Sequence, residues 1–211
     1  MDFGTSRINW LLLLCFLVLA GPGLGAAEER ARCLGVLESR DWTVERVMAA
    51  LNSAREPSVS FEETTYSSLL SAPLVVRGLL RFTPPSTLEK EVLEPYHERY
   101  TIEGDRVTIE SDRKRIKKTI SLEDYPALRS VIESFRAGFT GDVDRLMQLY
   151  DTALDGTRHK WTLVLRPRDP AGRSMVEDIV FSGSEGRLGT IVIHAADGDR
   201  SVMTLRRGAV K

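Results

Sequence analysis

The sequence has little cysteine and no excess of charge of either sign. Only Cys15 and Cys33 occur among the 211 residues, so a framework of disulfides is excluded and stability has to come from burial. Lys plus Arg number 29 and Asp plus Glu number 30. That balance excludes binding to nucleic acid through bulk positive charge. The remaining composition is that of an ordinary globular domain, which argues against disorder throughout the chain.

The longest apolar run is also short. It covers 11 residues from Trp10 to Ala20 and stops at a Gly-Pro-Gly sequence, whereas a membrane-spanning helix needs about 20 apolar residues. Arg7 precedes the run and small residues follow it. This layout predicts a secretory signal peptide over residues 1–27, cleaved after Ala26 or Ala27, and leaves residues 28–211 as one mature domain.

Alternation of apolar and polar residues dominates the mature chain and predicts a succession of short strands. Glycine and aspartate pairs, such as Gly104 with Asp105 and Gly198 with Asp199, separate neighbouring strands by short turns and so impose antiparallel pairing. Eleven strands are predicted, at residues 59–66, 74–82, 88–93, 97–103, 106–111, 115–121, 149–155, 159–166, 175–182, 188–195 and 200–206.

Two or three amphipathic helices accompany the strands. One follows Asp41, taken as its cap, over residues 44–51. A second spans 124–139, with Ser121 or Asp124 as cap, Pro126 in its first turn and glycines at its end. A short third helix starts at Asp142. Helices grouped beside one large antiparallel sheet predict an α+β architecture.

A sheet of this width curls, splits or flattens, and one that curls without closing forms a trough. Because apolar and polar residues alternate along the strands, one face of the sheet is apolar and can line this trough. Leu128, Ile132, Phe135 and Phe139 form an apolar stripe along the second helix. From the pattern alone, the helices could plug the trough as an ordinary core or cover a cavity. The apolar candidates on the strands are Leu74, Val76, Leu80, Phe82, Tyr100, Ile102, Trp161, Leu163 and Leu165.

An ordered set of residues resembles one family. It comprises Phe61, Glu62, Pro73, Leu74, Gly78, Leu80, Phe82, Pro84, Leu88, Pro95, Gly104, Asp105, Val107, the 124–139 helix, Trp161, Leu165, Pro167, Asp197, Gly198, Asp199 and Ser201. With the signal peptide, this order looks like the LolA-like branch of the periplasmic outer-membrane lipoprotein carrier proteins, over roughly residues 40–206.

The resemblance implies an incomplete eleven-stranded barrel covered by helices, with a cavity for the acyl chains of a lipoprotein or another envelope lipid. It adds Phe61 to the lipid-binding candidates listed above. It also implies a monomer in the periplasm that receives cargo from an inner-membrane donor and delivers it to an outer-membrane acceptor. Thr83 stands directly before Pro84, where carriers of the main branch have an arginine. The cargo could therefore be a glycolipid instead of a lipoprotein.

The helix at 124–139 is interpreted as a lid. We expect its stripe to fill the trough without cargo and to be displaced by cargo, so that opening costs the apolar burial that cargo restores. The alternatives are an accessory of envelope glycolipid or lipid biosynthesis, and an interaction domain whose core is permanently packed.

Chemistry-bearing residues do not form a catalytic pattern, and no enzymatic activity, cofactor or metal site is expected. Ser182 to Gly186 lacks the spacing of a nucleophile elbow. His97, His159 and His194 are isolated in sequence, and Cys33 has no histidine near it. The adjacent carboxylates Glu62 and Glu63, and Glu123 and Asp124, are interpreted as solvated or capping groups.

A basic run lies on the sixth predicted strand, at Arg113, Lys114, Arg115, Lys117 and Lys118. Protection of a sheet edge explains it most simply. Docking to anionic lipid head groups or to an acidic partner is the alternative.

Overall fold

The structure is a computed structural model that describes residues 42–54, 57–83, 87–140 and 142–206. The side chains of residues 134, 135 and 137–140 lie outside this description. The signal peptide, Cys33, Asp41 and Pro84, on which several predictions fall, also lie outside the described residues.

Eleven strands form one antiparallel sheet in the order β6-β5-β4-β3-β2-β1-β11-β10-β9-β8-β7. Two meanders, β1–β6 and β7–β11, therefore meet where β1 pairs with β11. The sheet is not closed, because β6 and β7 are its two edges. The strands are β1 Ser58–Tyr66, β2 Leu74–Thr83, β3 Thr87–Glu94, β4 Glu98–Glu103, β5 Arg106–Ser111, β6 Ile116–Ser121, β7 Tyr150–Thr157, β8 Lys160–Pro167, β9 Val176–Ser184, β10 Arg187–Ala195 and β11 Arg200–Arg206.

The helices are α1 Val44–Ser53, α2 Pro126–Thr140, α3 Val143–Leu149 and the single turn α4 Pro170–Arg173. A 3-10 turn, Leu122–Asp124, precedes α2. The fold class, the eleven strands and the three main helices predicted from the sequence are confirmed, with strand ends within two residues of prediction.

Local details of the helices differ from prediction. The N-cap of α1 is Thr43, whose hydroxyl accepts a hydrogen bond from the Arg46 amide. Ser121 caps the 3-10 turn and not α2 itself, and Gly138 continues the helix that it was expected to end. The turn α4 was missed because it has only four residues, although Asp169 caps it and Pro170 is its first residue. Asp142 caps α3 as predicted.

The registers divide each strand into two sets of side chains. We call the face that carries Phe61, Val76, Tyr100, Leu163 and the residues paired with them the concave face, because the helices pack against it. Its side chains form the main core together with Val47 and Met48 of α1 and Leu146 of α3. A smaller cluster lies under the first half of α2.

Candidate functional site

Apart from Ser201 of β11, the side chains buried on the concave face of β8–β11 are apolar or aromatic. Trp161, Leu163 and Leu165 of β8 are at most 1% exposed. The register sets Leu163 beside Phe181 and Leu165 beside Ile179, and β10 continues the same face. The further buried side chains here are Ile191, Ile193 and Met203. We call this surface the apolar half of the concave face.

Of the two glycines beside Trp161, Gly183 makes room for its indole ring. Gly156 of β7 and Gly183 of β9 are its register partners on either side. A Cβ atom at Gly183 would lie 2.5 Å from Cζ2 of the indole ring and 2.1 Å from the Arg187 carbonyl oxygen. The ring thus occupies the space that a side chain at Gly183 would need.

The other half of the concave face is formed by β1–β5 and contains the remaining sequence candidates on strands. Val76, Leu80, Phe82, Phe61 and Tyr100 are buried. Leu74 and Ile102 are half-buried and pack at the margins of the two clusters. All of these side chains share the face predicted for them by alternation.

Buried charges interrupt this half, and sequence reasoning missed them. Glu63 of β1 is 0% exposed and Lys90 of β3 is 4% exposed. Lys90 Nζ lies 2.5 Å from Glu63 Oε2, and the Ser201 hydroxyl donates to Glu63 Oε1 over 3.1 Å. Glu63 was interpreted as a solvated or capping group, and that interpretation is wrong. Its neighbour Glu62 is on the opposite face, where it pairs with Arg77.

A second buried carboxylate lies on the next strands. Glu98 of β4 is 1% exposed. The hydroxyl of Tyr100 donates to Glu98 Oε2 over 2.6 Å, and that of Ser111 donates to Glu98 Oε1 over 2.8 Å. Lys114 Nζ lies 3.5 Å from the same Oε1 atom. Because Tyr100 is the register partner of Lys90, the two groups form one polar belt, made up of Ser201, Glu63, Lys90, Tyr100, Glu98 and Ser111.

Helix α2 covers part of the concave face. Leu128 and Ile132 are 3% and 4% exposed, and they form a cluster with Val107 of β5 and Leu122. Val131 belongs to the main core. The side chains of Phe135 and Phe139, predicted to extend this stripe, lie outside the described residues.

The opposite, convex face of β1–β6 holds a balanced network of ions centred on Glu91. Arg99 Nη2 donates to Glu91 Oε1 over 2.6 Å, His97 Nε2 lies 3.1 Å from the same atom, and Arg81 Nη1 is 2.7 Å from Oε2. The hydrogen bond from Arg99, followed by that from His97, lowers the pKa of Glu91 to about 2. The hydrogen bond to Glu91, and then that to Asp112, raises the pKa of His97.

The basic run is largely engaged within the chain. Lys117 Nζ lies 2.5 Å from Glu110 Oε1, the guanidinium of Arg113 lies 5.3 Å from the centre of the Tyr96 ring, and Lys114 reaches Glu98. Lys117 and Lys118 lie on β6, an edge strand of the sheet, and Arg113, Lys114 and Arg115 lie in the turn before it. The contacts support edge protection, and docking to head groups stays a prediction.

Each of the three histidines contacts a carboxylate. His194 Nδ1 lies 2.7 Å from Asp178 Oδ1 and His159 Nδ1 lies 3.0 Å from Glu185 Oε1. Among the described residues, no group of three or more His, Cys, Asp or Glu side chains is arranged to hold a metal ion. Within the same part of the chain, no helix has the length and hydropathy needed to cross a membrane.

Three solved structures are similar to this chain at 10–12% sequence identity. A LolA superfamily protein from Nitrosomonas europaea matches 79% of this chain and 92% of its own, with 12% identity and a TM-score of 0.42. A conserved protein from Thermus thermophilus matches 81% and 90%, with 10% identity and a TM-score of 0.47. In the MucA/MucB complex from Pseudomonas aeruginosa the match covers 79% of this chain but 58% of the other, with 12% identity and a TM-score of 0.40.

These TM-scores are low, and a search of curated proteins gave no significant match. The family assignment depends instead on the family model described as "outer membrane lipoprotein carrier protein LolA-like", which matches residues 38–211. That span includes every strand of the sheet and all four helices. The chain therefore belongs to the LolA-like family of outer membrane lipoprotein carrier proteins.

Proposed function

We propose that this chain is a periplasmic carrier that shields the acyl chains of a lipoprotein or another envelope lipid and transfers them toward the outer membrane. The family and the apolar half of the concave face both support this proposal. The observation that carries it is the packing of α2: Leu128, Val131 and Ile132 are buried on the face that would take the cargo. No catalytic step is part of the proposal.

The energy scale favours exchange between helix and cargo. Full burial of one large aliphatic side chain contributes about 1.5–3 kcal/mol, so the three buried side chains of α2 are together worth about 5–9 kcal/mol on that scale. An acyl chain gains about 0.8 kcal/mol per buried methylene. A dozen methylenes would thus offset displacement of the helix with little surplus, which permits release.

The cellular setting follows from the same proposal. Residues 1–27 act as a signal peptide that is cleaved during export, and residues 28–211 act as a monomeric carrier domain in the periplasm. The partners are an inner-membrane donor and an outer-membrane acceptor. Amino-terminal sequencing of the protein from a periplasmic extract tests the cleavage site, and a chain that retains the Trp10–Ala20 run would contradict it.

Burial of α2 also supports a second reading, in which the core is permanently packed and the chain is an interaction domain or an accessory of envelope lipid synthesis. Movement of α2 distinguishes the two readings. Its residue Ser130 donates to Asp169 over 2.6 Å, and a Cβ atom at Gly172 would lie 3.0 Å from Ser130 Oγ. Gly172 belongs to α4, which lies against β8 and β9.

A Ser130→Cys/Gly172→Cys disulfide would therefore tie α2 to the sheet. In mature protein that also carries Cys33→Ser, we expect the oxidised form to take up a fluorescent fatty acid far more weakly than the reduced form. Ser130→Cys alone is the control and should bind equally in both states. Equal uptake by the crosslinked protein would show that α2 is not the lid. Absence of uptake in every form would favour the permanently packed core.

A further inference from the structure

The Glu63–Lys90 pair crosses the concave face at Gly78, where close packing leaves no room for a side chain: a Cβ atom there would lie 1.8 Å from the Glu91 carbonyl oxygen and 3.0 Å from the Phe61 ring. Glu63 is the register partner of Val76, and Lys90 is the register partner of Leu80, so both flank β2. The residue between Val76 and Leu80 on this face of β2 is Gly78. The pair therefore bridges β2 diagonally across the one position of that row that has no side chain.

The surroundings of the pair are apolar. The Lys90 ammonium lies 5.3 Å from the centre of the Phe61 ring, and Val76, Leu80 and Met203 are buried beside it. Removing two charges from water to such a place costs several kcal/mol per ion, so a buried ion pair is weak evidence for stability. Leu and Ile at the corresponding depth of β8–β10 show that the sheet can be filled without charges.

The pair therefore calls for a role in addition to packing. On the proposed function, the concave face receives acyl chains, and these are attached to their head groups through ester or amide linkages. A carbonyl oxygen accepts hydrogen bonds but cannot donate them. Within the belt, the charged donor is the ammonium of Lys90, which contacts Glu63. The hydroxyl of Tyr100, its register partner on β4, already donates to Glu98. A carbonyl in low-dielectric surroundings binds such a charged donor more strongly than in water.

We propose that the polar belt binds the carbonyl groups that link acyl chains to the rest of the cargo, with Lys90 as the main donor. Glu63 holds the ammonium in place through their 2.5 Å contact. The apolar half of the concave face then takes the hydrocarbon. The carrier thereby selects acylated lipids over hydrocarbon or ether-linked chains of the same length. This inference rests on the proposed function, because it assumes that cargo enters the concave face.

A matched pair of lipids tests the proposal. Palmitoyl lysophosphatidylcholine and its hexadecyl ether analogue differ in one carbonyl, and displacement of a fluorescent fatty acid gives both dissociation constants. We expect the wild-type mature protein to bind the ester at least about tenfold more tightly than the ether. In Glu63→Leu/Lys90→Met the ratio should fall to near one, with binding of the ether retained. This double variant leaves no unpaired buried charge, so folding is not at risk as it is in Lys90→Met alone.

Leu80→Ala is the control, since it removes apolar contact beside Lys90 and should weaken both lipids by a similar factor. Equal affinity of the wild-type protein for ester and ether would overturn the proposal, and so would an unchanged ratio in the double variant. Failure of the wild-type protein to bind either lipid would refute the carrier function itself. That result is distinguishable, because loss of the carbonyl preference alone leaves lipid binding intact.

Discussion

The two halves of the concave face differ in what they bury. Apart from Ser201, the buried side chains of β8–β11 are apolar or aromatic, and their hydrocarbon surface gains from leaving water. In β1–β5 the same depth holds two carboxylates and an ammonium. These groups are tolerable only because each has a charged or hydroxyl partner. The comparison teaches that one half of the sheet is stabilised by apolar burial alone, whereas the other half must also pair its buried charges.

The convex faces repeat this contrast. On β1–β5 the Glu91 network links two guanidinium groups and the His97 ring to one buried carboxylate. On β8–β11 the register instead aligns Val164, Val180, Val192 and Val202 across four neighbouring strands. The half that carries the polar belt is thus charged on both faces.

Breaking the buried pair should have the largest effect. Lys90→Met leaves Glu63 as an uncompensated buried charge and should lower the free energy of unfolding by about 3–5 kcal/mol. Glu63→Leu/Lys90→Met should restore it to within about 1 kcal/mol of wild type or above, because the desolvation cost disappears. Denaturant unfolding of both variants measures this. A single variant as stable as the double variant would show that the pair is not buried as described.

Truncation of a side chain in the apolar half of the concave face should lower the free energy of unfolding by nearly as much. This loss involves no charged group. Leu163→Ala removes a fully buried side chain and should lower the free energy of unfolding by about 2–5 kcal/mol. Val164→Ala, on the half-buried convex side of the same strand, is the matched control and should cost clearly less. Similar losses for the two variants would contradict the assignment of faces.

Acid should remove the stabilising contribution of the Glu91 network on β1–β5. The folded pKa of Glu91 is about 2, below its ordinary value of 4.5, so the unfolded chain binds more protons between these values and stability falls as pH falls. The Glu91 contribution is present above pH 4.5 and is lost toward pH 2. Glu91→Gln should therefore lower the free energy of unfolding by about 1–3 kcal/mol at about pH 7. Near pH 2, the folded pKa of Glu91, it should lower that free energy hardly at all. Unfolding curves across this range test it, with Glu94→Gln as an exposed control. A constant difference between wild type and Glu91→Gln would refute the linkage.

Changes at the β6 edge should have the smallest effect. Lys117 is 72% exposed and pairs with a partly exposed neighbour on β5, and such pairs contribute little in water. Lys117→Met/Lys118→Met should leave the unfolding midpoint nearly unchanged and should not reduce association with anionic vesicles at low salt. A marked loss of vesicle binding would instead support the docking role of the basic run.

Most of the fold was predictable because strand alternation and turn chemistry are local signals. Gly104 and Gly198, both with positive φ, punctuate the chain where hairpins turn. The one-turn helix α4 was missed because four residues carry no periodicity. The cap of α1 was misplaced because Thr43 and Asp41 are both suitable residues at nearly the same distance from the first apolar position.

The polar belt was not predicted, although a signal was present. Glu63 has the same parity as Phe61 and Thr65, Lys90 lies between Leu88 and Val92 on the same face, and Glu98 has the parity of Tyr100 and Ile102. Strict alternation would have placed all three charges on the concave face. Their residue types favoured an exposed position. Glu63 and Lys90 are two strands apart, so sequence gives no register that would pair them. The partners of Glu98 lie on its own strand and on β5, but their hydroxyls are no sign of a buried carboxylate.

The central claim is that this chain carries lipid on its concave face. Native mass spectrometry of the protein, purified without detergent from an envelope fraction of cells that express it with its signal peptide, tests this most directly. The account predicts mass additional to the polypeptide, which organic extraction removes and identifies as an acylated lipid. Protein that is uniformly free of lipid, and that also takes up no acyl probe after extraction, would contradict it.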